Sequence, residues 1–369
     1  MKIPYVNLSS QWNKEKKLLL PIINKVLQKG DYVNGNEIKI FEKNISKICN
    51  TKYAVALNSG TDALLLGLHL LGVKKDDEVI TPSNSFISST SVISHIRAKP
   101  VFVDVLRDQN INPELIEKAI TKKTKAIMPV HLTGRIAEMN EIMRISKKYS
   151  IPVIEDAAQS INSKYYGKKS GSFGEIGCFS AHPLKNLNAC GDSGFIVTSN
   201  FTYYQKALAM RNHGLVNRNL VKKFGFLSRM DVLQAAILNY RIKNLNHTIA
   251  KRRENAKLYL ENLNRKNLTL IDEKKYQFNT YHTFVIQAPN RDKLIKFLEN
   301  QGIATAIHYP IPIHLQPAAK YLGYKKGSFK VTEKQSKEIL SLPINQHLTK
   351  SQILHICKHI NNFYKNEIK

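Results

Sequence analysis

Lys185 and Asp156 are the residues on which chemistry can be built. Lys185 sits in Phe179-Ser180-Ala181-His182-Pro183-Leu184-Lys185-Asn186-Leu187, and Asp156 closes the apolar run of Val153-Ile154-Glu155-Asp156-Ala157-Ala158-Gln159. An amine condenses reversibly with an aldehyde, and a carboxylate at a strand end can keep a heterocyclic nitrogen protonated. An enzyme needs both to hold pyridoxal phosphate as a Schiff base and use its ring as an electron sink. Taken singly, neither residue is decisive. A lysine in so basic a chain is ordinarily a surface group, and a strand-end aspartate can equally answer a structural Lys or Arg. Glu155 should point to the opposite face from Asp156, because strand side chains alternate. Gln159, three residues on, could then reach a phenolic oxygen of the cofactor.

A third segment, Asn58-Ser59-Gly60-Thr61-Asp62-Ala63-Leu64, follows one apolar run and opens a helical pattern. Backbone N–H groups and the helix dipole converge at such a point, which suits a phosphate. Gly60 lets the backbone approach closely and the Thr61 hydroxyl adds a donor. A plain capping turn would use the same residue types.

The elements that must position these groups are legible as alternating short apolar runs and helical segments from about Lys52 to Thr198, the signature of a mostly parallel sheet. Strands are expected over 53–57, 78–81, 100–103, 126–130, 152–155, 176–179 and 195–198, with helices over 61–71, 113–120 and 138–149. Ser59, Asp156 and Ser180 all fall at strand ends, where sites in such sheets lie. A proline-free helical pattern over 230–263 is read as a bridge between domains. Beyond it, a strand over 281–288 and helices over 291–301 and 352–363 give a small α+β domain. The expected division is a large domain over 1–245 and a small C-terminal domain over 246–369.

Composition narrows the class. Hydrophobic residues are 43% of 369, ordinary for a globular protein, but 56 Lys+Arg against 28 Asp+Glu give a net charge of +28. That field favours anionic partners. The basic residues form only short runs, such as Lys14 to Lys17 and Lys122 to Lys125, so the excess reads as a solvated surface rather than a nucleic-acid site. Cys49, Cys178, Cys190 and Cys357 have no paired spacing and read as free thiols. No metal-ligand spacing is present. With no signal core at the N-terminus and no long uncharged apolar stretch, a cytoplasmic protein without membrane insertion is expected.

In order along the chain stand Ser59-Gly60-Thr61-Asp62-Ala63-Leu64, Asp77-Glu78-Val79-Ile80-Thr81-Pro82, Pro100-Val101-Phe102-Val103-Asp104, Ile154-Glu155-Asp156-Ala157-Ala158-Gln159, Lys185-Asn186-Leu187, Ser228-Arg229-Met230-Asp231 and His308-Tyr309-Pro310. This set resembles the DegT/DnrJ/EryC1/StrS family of pyridoxal-phosphate-dependent nucleotide-sugar aminotransferases over nearly the whole chain. The resemblance implies an α/β protein of PLP-dependent transferase fold type I, like aspartate aminotransferase. It makes Lys185 the Schiff-base lysine and Asp156 the partner of the pyridine nitrogen. Gln159 becomes the contact to the phenolic oxygen, and Gly60, Thr61 and Ser180 the phosphate cradle. Phe86 becomes the aromatic on the cofactor ring. Arg229, His308 and Tyr309 line the sugar-nucleotide side. Arg229 could instead form an ion pair with Asp231 or Glu254, and His308-Tyr309 could be a hinge packed on Pro310 and Pro312. A homodimer with shared active sites is implied.

The implied reaction moves an amino group, from glutamate, onto a keto group of a nucleotide-linked sugar for surface polysaccharide such as O-antigen. His308-Tyr309-Pro310-Ile311-Pro312 with Gln316-Pro317-Ala318 resembles members that act at C3; C4 is the nearest alternative. Lys185 argues against the dehydratase branch, which has histidine there. A DNA-binding regulator would use the +28 charge, but no basic recognition helix stands out. Two positions depart from the family pattern. Leu227 stands where many members have an asparagine reaching the partner's cofactor phosphate, a contact Asn212 or another donor could replace. Ala181 stands where an aromatic often follows the serine.

Overall fold

The computed structural model describes residues 1–367. Seven strands form its central sheet: β1 (Tyr53–Leu57), β2 (Glu78–Pro82), β3 (Lys99–Val103), β4 (Thr124–Ile127), β5 (Ile154–Asp156), β6 (Ile176–Ser180) and β7 (Gly194–Thr198). β3, β2 and β4 run parallel, and so do β5 and β6. Parallel bridges Ile127↔Val153 and Val130↔Asp156 join the two groups. β7 lies antiparallel between β6 and β1. The order is therefore β3-β2-β4-β5-β6-β7-β1, with β7 alone reversed, a mixed sheet that is mostly parallel as expected.

Helices cover both faces, so the strands are nearly continuous apolar runs rather than alternating ones. β7, Gly-Phe-Ile-Val-Thr, is buried at every position. Two of these strands are shorter than expected: β5 begins at Ile154 rather than Pro152, and β4 ends at Ile127 rather than Val130. β4 stops at Ile127 because Pro129 has no N–H for the ladder. The Pro129 carbonyl instead accepts the Asp156 N–H at 2.9 Å, and the His131 N–H donates to the Asp156 carbonyl at 2.9 Å. These two bonds fix the end of β5, and with it the Asp156 side chain.

Beyond the sheet, β8 (Phe284–Gln287) pairs antiparallel with β9 (Ile339–Leu342). Helices Arg291–Asn300 and Lys350–Glu367 contribute Leu294, Leu298, Ile353, Ile356 and Ile360 to a second core, which Ile3 joins from the N-terminus. The helix expected over 230–263 runs Val232–Asn262. Its first half gives Ala235 and Leu238 to the core under the sheet, and its second half gives Ala256 and Tyr259 to the other. Two helices with no counterpart in the sequence reading, Leu8–Lys29 and Asn36–Cys49, pack against it.

Candidate active site

The carboxyl ends of β1, β5 and β6 open on a cavity of about 480 Å³. Its wall contains Gly60, Thr61, Phe86, Asp156, Gln159, Ser180, Lys185, His308 and Tyr309. These come from segments spread over 250 positions of sequence, yet the fold brings them to one place.

At one end is a helix N-terminus. Ser59 caps the helix Gly60–Leu70, its hydroxyl accepting the Asp62 N–H at 3.1 Å, and the Ala63 N–H goes to the Ser59 carbonyl. The N–H groups of Gly60 and Thr61 precede the first intrahelical bond and are left to a ligand. The Thr61 hydroxyl lies 2.9 Å from that of Ser88. Packing here is tight. A Cβ on Gly60 would stand 2.7 Å from Ser180 Cβ, and one on Gly194 would stand 2.3 Å from the Ser59 carbonyl carbon. Gly60→Ala should therefore push Ser180 aside and lower stability by about 1–3 kcal/mol, which a thermal melt of the purified variant would read.

At the other end lies Asp156, only 6% exposed. Its Oδ1 accepts the Ala158 N–H at 3.2 Å. Burial pushes its carboxyl up from the ordinary value, against the pull of that N–H, of Lys185 and of His131. Glu155 points to the opposite face as expected. There it accepts the N–H groups of Gly171, Phe173 and Gly174 and pairs with His131 Nε2 at 2.9 Å. Gln159 accepts the Thr133 N–H at 2.8 Å on its oxygen, so its Nε2 faces the cavity, 3.4 Å from the Tyr309 hydroxyl.

Between these ends stands Lys185. It follows β6 on a tight turn closed by Lys185 N–H to His182 carbonyl at 2.8 Å, and the next residue, Asn186, donates to the Thr280 carbonyl at 2.8 Å. Burial lowers the amine to about 8, although the Asp156 carboxylate pulls the other way. His308 is lowered to about 4, first by burial and then by Lys185, and its Nδ1 lies 2.8 Å from the Ser341 hydroxyl. Tyr309 is raised by burial and by Asp156. Its ring tilts toward Phe86 at 6.0 Å.

Arg229 is not brought to this cavity within one chain. Its guanidinium donates to Asn212 Oδ1 at 3.2 Å, and it pairs with neither Asp231 nor Glu254, the latter being held by Lys251. Asn212 is therefore already engaged. Leu227 is exposed beside a hairpin, Leu215–Asn217 with Leu220–Val221. Conversely, His282 lines the cavity and went unnoticed in the sequence. The only available signal was a polar residue at the start of an apolar run. Among the described residues no cluster suited to a metal ion occurs, and no helix is long and apolar enough to cross a membrane.

Residues 13–361 match the family model of the DegT/DnrJ/EryC1/StrS aminotransferase family. The chain is 37% identical to a pleiotropic regulatory protein of Geobacillus stearothermophilus, over 99% of this chain and 100% of that one. It is also 37% identical to the dTDP-3-amino-3,6-dideoxy-alpha-D-galactopyranose transaminase of Aneurinibacillus thermoaerophilus, over 98% and 99%. The solved structure of S. venezuelae DesV superposes with a TM-score of 0.96 at 34% identity, covering 98% of each chain.

Proposed function

Given that the chain belongs to the DegT/DnrJ/EryC1/StrS aminotransferase family, we propose that it moves an amino group from glutamate onto C3 of a keto sugar carried on a nucleotide. The enzyme is a pyridoxal-phosphate-dependent aminotransferase. One observation carries the reading: Lys185, Asp156 and the orphan N–H groups of Gly60 and Thr61 face a single cavity. The residues fit the cofactor. The buried Asp156 carboxylate makes no ion pair, although Lys185 and His131 act on it electrostatically, and the Gly60 and Thr61 N–H groups at the helix start, outside its first intrahelical bond, suit a phosphate.

Gly60, Thr61 and Ser180 would hold the phosphate, Asp156 the protonated ring nitrogen, Gln159 Nε2 the phenolic oxygen, and Phe86 one face of the ring. When bound, the cofactor supplies an electron sink that stabilises negative charge at the reacting carbon. Lys185 would anchor it and, once released, take the proton from the donor's α-carbon as a base. The depressed amine suits this work. Only the neutral amine attacks an aldehyde, so loading of cofactor-free enzyme should speed up as pH rises and level off above about 8. Absorbance-monitored loading from about pH 6 to 10 checks this, and a flat profile would contradict it.

His308 and Tyr309 would take the sugar. The preference for C3 is supported by the 3-oxo, 3-dehydro and 3-amino sugars named for relatives of comparable similarity and by the His308-Tyr309-Pro310-Ile311-Pro312 segment. The +28 charge would draw an anionic diphosphate toward the cleft. Incubation with glutamate and a panel of 3-keto and 4-keto sugar nucleotides, read by mass and NMR, tests the assignment; amination only at C4 would overturn it. Surface polysaccharide, O-antigen included, is the proposed destination of the product.

A fold type I chain with domains over 1–245 and 246–369, acting as a cytoplasmic homodimer, completes the reading. The second apolar core supports the division. The exposed apolar hairpin region, with Val216, Phe224 at 92% exposure and Leu227, supports a dimer, as do Phe86 and Leu184, exposed in the cavity wall. Arg229 would then serve the partner's site. Phe224→Asp is expected to yield monomers by light scattering with activity down at least about tenfold.

A further inference from the structure

Serine at the start of a helix ordinarily caps it, its hydroxyl accepting one of the backbone N–H groups that have no partner within the helix. Ser88 is the first residue of the helix Ser88–His95, yet that helix start carries no side-chain cap. The Ser88 hydroxyl is committed elsewhere. It lies 2.9 Å from the hydroxyl of Thr61, at the start of a different helix, Gly60–Leu70.

This pairing leaves one donor over. Two hydroxyls carry two O–H groups, and only one is spent between them. The other has no acceptor among the described residues, and both residues line the active-site cavity. The spare O–H is left to whatever occupies that cavity.

The pair is also firmly placed. Leu64 and Leu66 from one helix share a core with Val92 and Ile93 from the other. Ser89, next to Ser88, is buried and bonds to the Ser85 hydroxyl at 2.9 Å and to the Phe86 carbonyl at 3.1 Å. Both hydroxyls are thus held by packed elements, one at the cradle and one beside the Phe86 wall.

The remaining donors of the cradle make the spare O–H matter. A phosphate presents several strong acceptor oxygens. Gly60 and Thr61 offer their N–H groups, and Ser180, whose oxygen accepts the His182 N–H at 3.3 Å, still has its own proton to give. Leu227 has no donor, and Asn212 Oδ1 is engaged by Arg229.

Resting on the reading of Gly60, Thr61 and Ser180 as the phosphate cradle, we propose that Ser88 is a positioning residue for cofactor binding: its O–H donates to Thr61 Oγ1, which turns the Thr61 O–H toward the phosphate. Hydrogen bonds in series polarise one another, so Thr61 becomes a stronger donor than a lone hydroxyl. It is also oriented before the phosphate arrives, which lowers the cost of binding. Ser88 itself does not touch the phosphate. The single chain in this way strengthens its own grip where Leu227 offers none.

The test needs no turnover. Cofactor-free protein is titrated with pyridoxal phosphate and, separately, with pyridoxal, which lacks the phosphate, and imine absorbance reads both. Ser88→Ala should weaken pyridoxal phosphate about tenfold, the scale of one hydrogen bond involving a charged group, and leave pyridoxal within about twofold of wild type. Thr61→Val, which removes the hydroxyl at nearly constant shape, should cost at least as much, and Ser88→Ala added to it should cost almost nothing more. Equal losses for the two aldehydes would mark a merely structural defect and overturn the proposal. So would an unweakened Ser88→Ala variant, or a Ser88→Ala loss that persists undiminished beside Thr61→Val. A wild type that bound both aldehydes equally well would instead remove the cradle reading, and the proposal with it.

Discussion

Lys185→Ala is expected to abolish amino transfer, with a loss of at least roughly four orders of magnitude, because on the proposed reading one amine is both the anchor for the cofactor and the base. The cradle and Asp156 remain, so the variant should still take up pyridoxal phosphate but release it on dialysis. It should also fold at least as well. In the cofactor-free chain the amine is lowered to about 8 by burial, so the folded state binds its proton less readily than the unfolded state does. The resulting penalty is fully present below about pH 8 and fades as pH rises toward the ordinary lysine value near 10.4. Removing the amine lifts that penalty, and the melting temperature of the cofactor-free variant at neutral pH should match or exceed wild type. A purified variant that turned over at the wild-type rate would end the assignment of Lys185.

Asp156→Asn is expected to cost about a hundred- to a thousandfold in rate, the usual scale for deleting one preorganised electrostatic partner from a water-poor site. The change preserves shape and the bond from the Ala158 N–H but removes the charge. An amide cannot hold a ring nitrogen protonated, so proton removal from the donor's carbon should become the slow step. Rapid-mixing kinetics with α-deuterated glutamate would show it as a larger isotope effect than in wild type. Since burial already disfavours the Asp156 carboxylate, the cofactor-free variant should not melt earlier. A rate within about tenfold of wild type, a difference of only about 1.4 kcal/mol in barrier, would mean that another group holds the ring nitrogen.

The parts of this site readable in the sequence are those fixed by local rules. Asp156 and Glu155 face opposite ways because strands alternate, and Ser59 caps a helix because its hydroxyl can reach the Asp62 N–H. The helix Asn36–Cys49 was legible too, with Ile38, Phe41, Ile45 and Cys49 buried along one face, although the reading began beyond it. His282 was not legible. Its place in the cavity wall depends on Arg252 thirty residues earlier and on Asn186 almost a hundred earlier, which hold the backbone around it, and neither separation leaves a mark on a local pattern. Nor was the position of Arg229, which depends on Asn212 lying across the base of the hairpin, where the Asn212↔Leu227 bridge closes it. β4 fell between the two cases. Its apolar run was visible, but the break at Pro129 follows from a missing donor that the run conceals.

The crowding of Gly60, Gly194 and Ser180 has a consequence for how such a chain can diversify. Where a single methyl would strike backbone or Ser180, a larger side chain is closed off and the floor of the cavity is held to one shape. In the cavity wall Leu184, by contrast, is exposed in the single chain, so an exchange there is limited by what docks against it rather than by packing within the chain. On the proposed reading, a change of sugar would come through that margin while the floor stays fixed.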